Sequence, residues 1–593
     1  MNFLIQFPHK RNCKKIRTFN TSVRLCLKGS PGLNLFIFDL ENKNLIKEIE
    51  NTRYKYIFLG DIIVDKEKEG DVNSFFEKIA ANFTPGKIKY LKGFFYIIQI
   101  DKVKQILRVF NSVFSILPIY YYQADGYYLV SSRLDLIKEN SKQVLRINEK
   151  FVLEKTLFNY PLFNDTLFSE IRTVPANSYI QIEKKIQLKK HTDITDYYVS
   201  SPKPWRKSLN EMSNLFLETV KGYYPGENFF ISFTGGFDGR TLVAAAKKYK
   251  KDFAAYSYGT ADCADIVLPK EHCEKINVPF LPVYLDRSYV ENQFFESGLE
   301  LIEKTEGNAA FSRAHYVYAA KLLSSKTSFI VTGNFGSELF RTIHNMPITG
   351  LIISRELIEI YKQKDERDWI NFLKNSPRLN YLNMPRFNLV FEELIQEIIE
   401  YKNQGSNLTL NQNFYRFVFE ELFRKYFGPE IILQSYFLCN RTPFLNFKFI
   451  EKLLKTGLSG VYDNFFEENP IKRFKGQVLY AHIIKKSFPG LLKYRTDRGY
   501  KPVDLLTPIG KFNILKSFIR KRLFRTKKST ADLQKVNESF LFNADSWKSF
   551  NIADEFYNKE YLEKKFLEKE SIKDANVFTA VLSTNWFLRK MMA

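Results

Sequence analysis

The residues best suited to chemistry lie between positions 229 and 240, where a short apolar run leads into two glycines and a carboxylate. The apolar run predicts a buried strand over residues 229–233, and the pattern beyond residue 240 predicts a helix. Gly235 and Gly236 allow the backbone to turn sharply between them and to approach a ligand closely. Because free N–H groups and the helix dipole attract anions, the segment predicts a phosphate site.

Asp238 brings a carboxylate into this turn, two residues beyond the glycine pair. A carboxylate among phosphates is tolerated mainly as a ligand for Mg²⁺. A P-loop is excluded because no Lys closes the turn, and the three-glycine dinucleotide fingerprint is absent. Taken alone, the segment also fits a tight strand-to-helix turn that binds nothing.

Residues 234–239 read Thr-Gly-Gly-Phe-Asp-Gly and resemble the pyrophosphate loop of the asparagine synthetase family, Ser-Gly-Gly-x-Asp-Ser. Gly239 replaces the last hydroxyl residue of that loop, which removes a side-chain contact to phosphate and keeps the backbone N–H. The resemblance implies an ATP-pyrophosphatase domain that uses ATP and Mg²⁺. It also implies a set of nucleotide-binding positions, namely Ser232, Thr234, Gly235, Gly236, Asp238, Gly239, Arg240, Ser257, Gly333 and Gly336.

A second glycine loop follows the strand predicted over residues 328–332, and residues 333–340 resemble the family loop Gly-Glu-Gly-Ser-Asp-Glu-Leu-Phe. Ser337 stands where the family has an Asp that binds Mg²⁺, and a neutral hydroxyl is a weaker ligand for a hard cation. Glu338 is retained. The resemblance therefore implies that Asp238 and Glu338 are the metal ligands, with orientation of a nucleophile as the other role open to Glu338.

A third segment, residues 494–502, resembles the family pattern Arg-x-Lys-x-Gly-Phe, whose Lys stabilises charge on the phosphates during adenylation. Asp497 stands at the position of that Lys, so Arg498 or Lys501 would have to supply the positive charge. A guanidinium suits phosphate well. Two shorter stretches complete the series: residues 440–446 resemble a segment near the family's substrate pocket, and residues 257–259 with Asp265 resemble its adenine-side loop. Asp265 is equally compatible with a plain helix cap.

The first 195 residues alternate short β-type runs with turn residues and contain one clear helix near residues 72–81, which predicts a strand-rich sandwich or a layered α+β domain. Five stretches resemble the glutaminase domain of asparagine synthetases: residues 91–95, 118–121, 130–132, 166–168 and 174–176. Glutaminase chemistry needs a cysteine as the mature first residue. Asn2 occupies that place, and neither Cys13 nor Cys26 is followed by Gly-Ile. We expect a glutaminase-like scaffold without the activity, with removal of a segment before Cys13 as the alternative.

The formal net charge of +24 and the pI near 9.4 would suit an anionic partner, but no nucleic-acid-binding module is recognisable. Five cysteines without a C-x-x-C pair are typical of a reducing cytoplasm, and no apolar run reaches membrane length. Residues 511–528 are strongly basic with apolar residues interleaved. They fit either an ordinary helix with a solvated basic face or a helix that lies on a membrane surface or an anionic polymer.

Together these features predict a two-domain cytoplasmic protein. Residues 1–195 are expected to form a degenerate, Ntn-like glutaminase-like α+β domain. Residues 196–593 are expected to form an asparagine-synthase-like domain with a doubly wound parallel sheet and a helical C-terminal part. The resemblance implies an ATP-dependent enzyme that adenylates a small-molecule, sugar-acid or peptide carboxylate and transfers it to an amine or ammonia. A catalytically silent nucleotide-binding or accessory relative and a basic scaffold are the alternatives, and a homodimer stays open.

Overall fold

The computed structural model describes residues 2–7, 23–28, 34–38, 45–64, 71–124, 127–341, 343, 352–467, 474–523, 543–548, 550–567 and 575–593. Cys13 and residues 524–528 of the basic segment lie outside this part of the chain. Three sheets organise the described residues: two antiparallel sheets of six strands each, followed by one parallel sheet of five strands.

Twelve strands precede residue 195 in the described part: β1 (Asn2–Phe7), β2 (Val23–Lys28), β3 (Asn34–Phe38), β4 (Ile46–Glu50), β5 (Tyr54–Ile62), β6 (Gly93–Asp101), β7 (Ile106–Asn111), β8 (Tyr120–Ala124), β9 (Tyr127–Ser131), β10 (Ile171–Thr173), β11 (Ser178–Ile182) and β12 (Ile186–Lys190). They form one sheet in the order β10-β8-β9-β1-β3-β2 and another in the order β12-β11-β7-β6-β5-β4. The recorded pairings in both sheets are antiparallel.

Alternate side chains of β5 point to opposite faces of its sheet, and this alternation explains why the two sheets stack. Ile57 and Leu59 face the core between the two sheets, whereas Tyr56 and Phe58 pack with a cluster that includes helix α1 (Val72–Ala81) on the outer face. Across the core, the rings of Phe3 on β1 and Tyr96 on β6 meet edge to face with centroids 5.1 Å apart. The layered α+β arrangement expected for this part of the chain is therefore observed.

Two helices in this region were not anticipated from the sequence: α2 (Leu134–Asn140) and α3 (Glu149–Phe158). Every residue of α3 from Phe151 to Phe158 is buried, including Glu154 and Lys155. A helix that is buried all round has no polar stripe, so the 3.6-residue period that identifies a surface helix is missing. The expectation of a single helix before residue 195 was wrong for this reason.

The parallel sheet contains β13 (Phe230–Ser232), β14 (Ala254–Gly259), β15 (Phe280–Tyr284), β16 (Phe329–Val331) and β17 (Cys439–Arg441) in the order β15-β14-β13-β16-β17. The chain winds outward from β13 in one direction and then returns to wind in the other, which is a doubly wound topology. β17 was not predicted, because a three-residue strand that pairs only with β16 shows no period of its own.

Helices fill the rest of this part: α4 (Trp205–Lys221), α5 (Asp238–Lys248), α6 (Ala264–Ile276), α7 (Arg287–Asn292), α8 (Phe294–Lys304), α9 (His315–Ser324), α10 (Gly336–Phe340), α11 (Arg355–Lys362), α12 (Glu366–Lys374), α13 (Asn388–Asn403), α14 (Leu410–Phe417), a π-helix (Val418–Phe427), α15 (Gly428–Gln434), α16 (Phe447–Leu453), α17 (Lys475–Ser487), α18 (Gly510–Leu523), α19 (Ala544–Lys548), α20 (Lys559–Leu567) and α21 (Ala575–Met592). Among the residues described, these helices are all too short or too polar to cross a bilayer.

Buried cations join the antiparallel part to the parallel part. The guanidinium of Arg424 donates hydrogen bonds to the backbone carbonyls of Val174 at 3.0 Å and Phe163 at 2.6 Å. Arg441, at the end of β17, donates to both carboxylate oxygens of Asp61 on β5, at 2.8 and 2.9 Å. Because each of these donors is withdrawn from water, the two parts are held in a definite relative position.

Candidate functional site

Both glycine loops lie at the point where the parallel sheet changes its winding direction. β13 and β16 are neighbours, with Phe230 opposite Ile330 and Ile231 opposite Val331. The first loop leaves the carboxyl end of β13 and enters α5, and the second leaves β16 and enters α10. Ligands of open α/β sheets bind in the crevice at such a switch point.

The loops pack so closely that only glycine fits at three positions. A Cβ added to Gly333 would lie 2.6 Å from the Cβ of Asp238, and one added to Gly336 would lie 2.6 Å from the Oδ1 of Asp238. A Cβ on Gly239 would lie 2.2 Å from the backbone oxygen of Ser232. The glycines of the two motifs are thus required because the backbones of the two loops lie too close together for a side chain.

Asp238 stands at the centre of this contact as the first residue of α5. Its Oδ2 accepts a hydrogen bond from the hydroxyl of Ser337 at 2.9 Å, and its Oδ1 accepts one from the hydroxyl of Tyr480 on α17. Burial and the charge of Asp238 raise the pKa of Tyr480 well above its usual range, so this hydroxyl stays protonated and donates. Both partners are neutral, and the carboxylate is therefore oriented without being neutralised by them.

Two further groups on the second loop complete the centre. Glu338 is buried on α10, and its pKa is raised to about 7 by burial and by the nearby charge of Asp238. The guanidinium of Arg341 donates a hydrogen bond to the hydroxyl of Ser337, which itself donates to Asp238. A chain of contacts thus links a cation, a hydroxyl and a carboxylate across the loops.

Arg240, on the first turn of α5, lies behind the loop and holds it in place. The side chain is fully buried, and its guanidinium donates to the backbone oxygens of Leu491 at 3.3 Å, Tyr494 at 3.0 Å and Arg495 at 2.9 Å. Because only dipoles replace water here, burial lowers the pKa of Arg240 to about 10. The structure thus places Arg240 as the support of the 491–495 segment.

Two more carboxylates flank Gly235. The amide of Gly235 donates to Oδ1 of Asp265 at 3.0 Å, and its carbonyl accepts from the amide of Asp497 at 3.1 Å. A Cβ on Gly235 would lie 3.0 Å from the Cβ of Asp497. The residue at the position of the family's phosphate-binding Lys is therefore an acid that lies directly against the loop. A phosphate that bound here would need cations from elsewhere in the site.

Arg498 and Lys501 were the two candidates for that cation, and their side chains have different surroundings in the structure. Burial raises the pKa of Tyr500, while a hydrogen bond with Arg498 and the charges of Arg498 and Arg341 act to lower it. Arg498 thus interacts directly with the Tyr500 hydroxyl, which donates to Gln477 at 2.8 Å. The side chain of Lys501 is exposed, and its backbone amide donates to Asp504 at 2.8 Å.

The remaining predicted positions lie at the carboxyl ends of β13 and β14. The hydroxyl of Thr234 accepts from the amide of Gly236 at 3.4 Å. Ser257 is buried on β14, and its hydroxyl has no hydrogen-bond partner in the described part of the chain. Ser232 lines a small cavity between the strands together with Tyr256, Tyr258, Tyr316, Thr332 and Asn334. All the predicted site residues except Arg240 and Lys501 thus lie along the edge of the sheet or the loops above it.

Tyr480 and Arg341 were not identified as site residues from the sequence. Arg341 follows the second loop by one turn of α10, so its i+4 spacing from Ser337 on a helix could have indicated it. Tyr480 lies 242 residues from Asp238 along the chain, within a helix that carries no motif. Only the packing of α17 against α5 places its hydroxyl on the carboxylate.

No family model matches this chain, and no curated protein matches it. Among solved structures, the chain is similar to a glutamine phosphoribosylpyrophosphate amidotransferase from B. subtilis complexed with ADP and GMP, at 9% identity and a TM-score of 0.19 over 42% of this chain and 51% of that one. It is similar to an allosteric regulatory enzyme of purine biosynthesis at the same identity and TM-score, over 43% and 52%. The chain spans about half of each, and at this TM-score neither likeness supports a conclusion about fold or function.

Proposed function

We propose that the chain is an ATP-dependent amide-forming enzyme of the asparagine synthase type, which adenylates a carboxylate and transfers the acyl group to an amine or ammonia. The observation that carries the proposal is the position of Asp238. Its carboxylate stands at the topological switch point, between two glycine loops, and accepts hydrogen bonds from the hydroxyl groups of Ser337 and Tyr480. The two antiparallel sheets would form the degenerate, Ntn-like glutaminase-like domain of this arrangement.

The amino end of α5 would hold the pyrophosphate part of ATP. The first amide groups of a helix have no partner within the helix and point at an anion. Gly235 and Gly236 carry no side chain that would shield those amides from the phosphates. The small cavity beside Ser232, lined also by Tyr256 and Tyr258 of β14, would take the adenine side of the nucleotide.

The donor set fits Mg²⁺ that arrives with ATP. Asp238 accepts hydrogen bonds from two neutral hydroxyl groups, and burial together with the charge of Asp238 raises the pKa of Glu338 to about 7, the direction expected when two nearby carboxylates compete. A shared cation relieves such competition. Asp238 and Glu338 would hold the ion, and when bound it would neutralise charge on the phosphates and help pyrophosphate to leave.

The reaction then needs an acid aligned with the α-phosphorus. A carboxylate oxygen of the substrate forms the new P–O bond while the bond to the β-phosphate breaks and pyrophosphate departs. A nitrogen nucleophile next attacks the acyl carbon, loses a proton and releases AMP with the amide. Arg341 and Arg498 would stabilise the charge that develops on the phosphates, because Arg341 donates to Ser337 of the second loop and Arg498 follows Asp497, which contacts Gly235 of the first loop.

Substitution of Asp238 by Asn tests the proposed ATP site. The change keeps the size of the side chain, replaces one acceptor oxygen with an N–H donor and removes the charge, so ATP binding should weaken about tenfold or more in Mg²⁺ and much less in EDTA. Titration calorimetry with a non-hydrolysable ATP analogue measures both conditions. Asp252→Asn, an exposed acid after α5, is the matched control and should leave binding unchanged. Equal affinity of the Asp238→Asn variant and the parent in Mg²⁺ would remove Asp238 from the site.

A second candidate function is that of a catalytically silent nucleotide-binding relative. One observation favours it: Asp497 brings a carboxylate to the place where the family has a phosphate-binding Lys, against Gly235. Pyrophosphate exchange into ATP, measured with a panel of aspartate, uronic acids and short peptides, separates the two functions. Exchange with any acid supports the enzyme, whereas tight ATP binding without exchange across the panel supports the silent relative.

A further inference from the structure

One helix leaves a row of large apolar side chains in water. Ile509, Phe512, Leu515 and Ile519 are 76, 74, 53 and 49% exposed, and their spacing of three or four residues places them on one face of α18 and the residue just before it. They are four of the thirteen large apolar residues that are exposed in the described part of the chain, and they fall within eleven positions. Scattered exposed apolar residues need no explanation, but a contiguous row marks an interaction surface.

The same helix is rich in positive charge. Lys511 and Lys516 are exposed on α18, and the helix also contains Arg520, Lys521 and Arg522. No acidic residue occurs in the sequence between Asp504 and Asp532. A helix that exposes large apolar side chains together with Lys offers the two kinds of contact that a helix makes when it lies in the surface of an anionic bilayer.

The opposite side of α18 is anchored to the protein, which keeps the apolar row facing outward. Ile514 is buried in the main core, and the side-chain amide of Asn513 donates to Oδ1 of Asp504 at 2.9 Å. Ser517 approaches Gly499, whose added Cβ would lie 3.8 Å from the Cβ of Ser517. The helix therefore rests on the 497–505 segment and turns its apolar row away from it.

We propose that α18 is a membrane-surface helix that docks the protein on anionic lipid. The row of apolar side chains would enter the headgroup boundary, and Lys511 and Lys516 would contact lipid phosphates. A second copy of the chain is a poorer occupant, because a two-fold contact through this face would bring one basic helix against another. An anionic polymer would use the charges and leave the apolar row exposed. The inference does not depend on the proposed enzymatic function.

The helix α18 is connected to the candidate site through the segment beneath it. The segment beneath α18 contains Arg498, and the amide of Asp497 in the same segment contacts Gly235 in the first glycine loop. The segment that supports α18 thus also contacts the first glycine loop.

Co-sedimentation of the full chain with vesicles tests the proposal. The chain should bind vesicles that contain phosphatidylglycerol and not vesicles of phosphatidylcholine alone, and added salt should weaken the binding. Phe512→Ser with Leu515→Ser should weaken binding about tenfold or more, and so should Lys511→Gln with Lys516→Gln. The matched controls are Leu389→Ser, which removes an apolar residue that is 82% exposed on α13, and Lys185→Gln, which removes an exposed charge.

Three outcomes would overturn the proposal. The first is the absence of binding to anionic vesicles by the folded parent. The second is binding that the α18 variants reduce no more than the two controls do. The third is a dimer in analytical ultracentrifugation, or binding to heparin, with no vesicle binding. Because the substituted side chains are exposed, thermal unfolding of the variants should match that of the parent and exclude misfolding as the cause of lost binding.

Discussion

Two polar clusters lie where the resemblance implies catalytic sites. The side chains of one are used up in contacts within the protein, whereas the other has polar groups that face the crevice. The first, here called the joint cluster, consists of Asn2, Arg133, Glu306 and Tyr436. Asn2 is buried at the start of β1, and its side-chain amide donates to the Tyr436 hydroxyl at 3.4 Å. Arg133 donates to the same hydroxyl at 2.6 Å, and Oε1 of Glu306 accepts from the amide of Leu134 at 2.5 Å. Residues from the parallel part thus cover the start of β1.

The second is the loop cluster of Asp238, Ser337, Arg341 and Tyr480. Its members also contact one another, but Asp238, Ser337 and Arg341 are only partly buried. Helix amide groups and a half-buried carboxylate face the crevice at the switch point of the sheet. The hydrogen bonds of the joint cluster hold two parts of the chain together, whereas the loop cluster has polar groups that a ligand can reach. Ligand chemistry is therefore expected at the loops and not at the start of β1.

The largest expected effect concerns the charged groups of the loop cluster. Glu338→Gln and Arg498→Ala should each lower pyrophosphate exchange by about a hundredfold to a thousandfold, since removal of one group that stabilises transition-state charge has that effect. Lys501→Ala is the control, because that side chain is exposed on the neighbouring turn, and it should change exchange by less than about threefold. Parent-level exchange in both Glu338→Gln and Arg498→Ala would end the idea that these groups compensate for Ser337 and Asp497.

The joint cluster should matter for stability instead. Arg133→Met leaves Asp135 and Glu306 without their common cation, and because the pair with Asp135 is only partly buried its loss should cost about 2 kcal/mol, less than for a fully buried pair. The melting temperature of the chain should fall by several degrees while ATP binding stays unchanged. Arg367→Met breaks an exposed pair with Asp365 and should leave the melting temperature almost unchanged. Loss of ATP binding with no loss of stability would reverse the roles assigned to the two clusters.

A smaller effect should appear in the pH dependence of stability. Burial and the charge of Asp135 raise the pKa of Glu306 to about 7, so the folded chain holds a proton there that the unfolded chain has released above about pH 4.5. Stability therefore falls as the pH rises from about 4.5 to 7 and is lower above that range. Glu306→Gln mimics the protonated form and should flatten this fall in thermal unfolding profiles. An unchanged slope would contradict the assignment.

The last prediction is that the chain has no glutaminase activity. Purified protein should release no glutamate from glutamine above the enzyme-free blank, because the side chain at the start of β1 is the carboxamide of Asn2, which cannot act as a thiolate nucleophile. Cys13→Ala should not change this result. Glutamate release that Cys13→Ala abolishes would reopen the possibility that a segment before Cys13 is removed.

Much of the local architecture followed from short-range patterns. The helix expected near residues 72–81 is Val72–Ala81, and the strand expected over residues 229–233 is Phe230–Ser232, because helical periodicity and apolar runs depend on neighbouring residues only. The doubly wound parallel sheet followed from the alternation of strands and helices after residue 228. α3 and β17 escaped prediction because complete burial removes the amphipathic period of a helix, and three residues are too few to show alternation.

The sequence alone determined the two loops of the site, because the spacing of glycines and the identity of the residues between the glycines are local properties. Tertiary structure decided the partners of those loops. The hydroxyl of Tyr480 reaches Asp238 from another helix, Asp497 lies against Gly235, and Glu306 closes the start of β1 from the other part of the chain. Each of these contacts joins residues far apart along the chain, and their meeting depends on how packed elements are oriented. No local period encodes that orientation, because it arises from burial of side chains across the whole core.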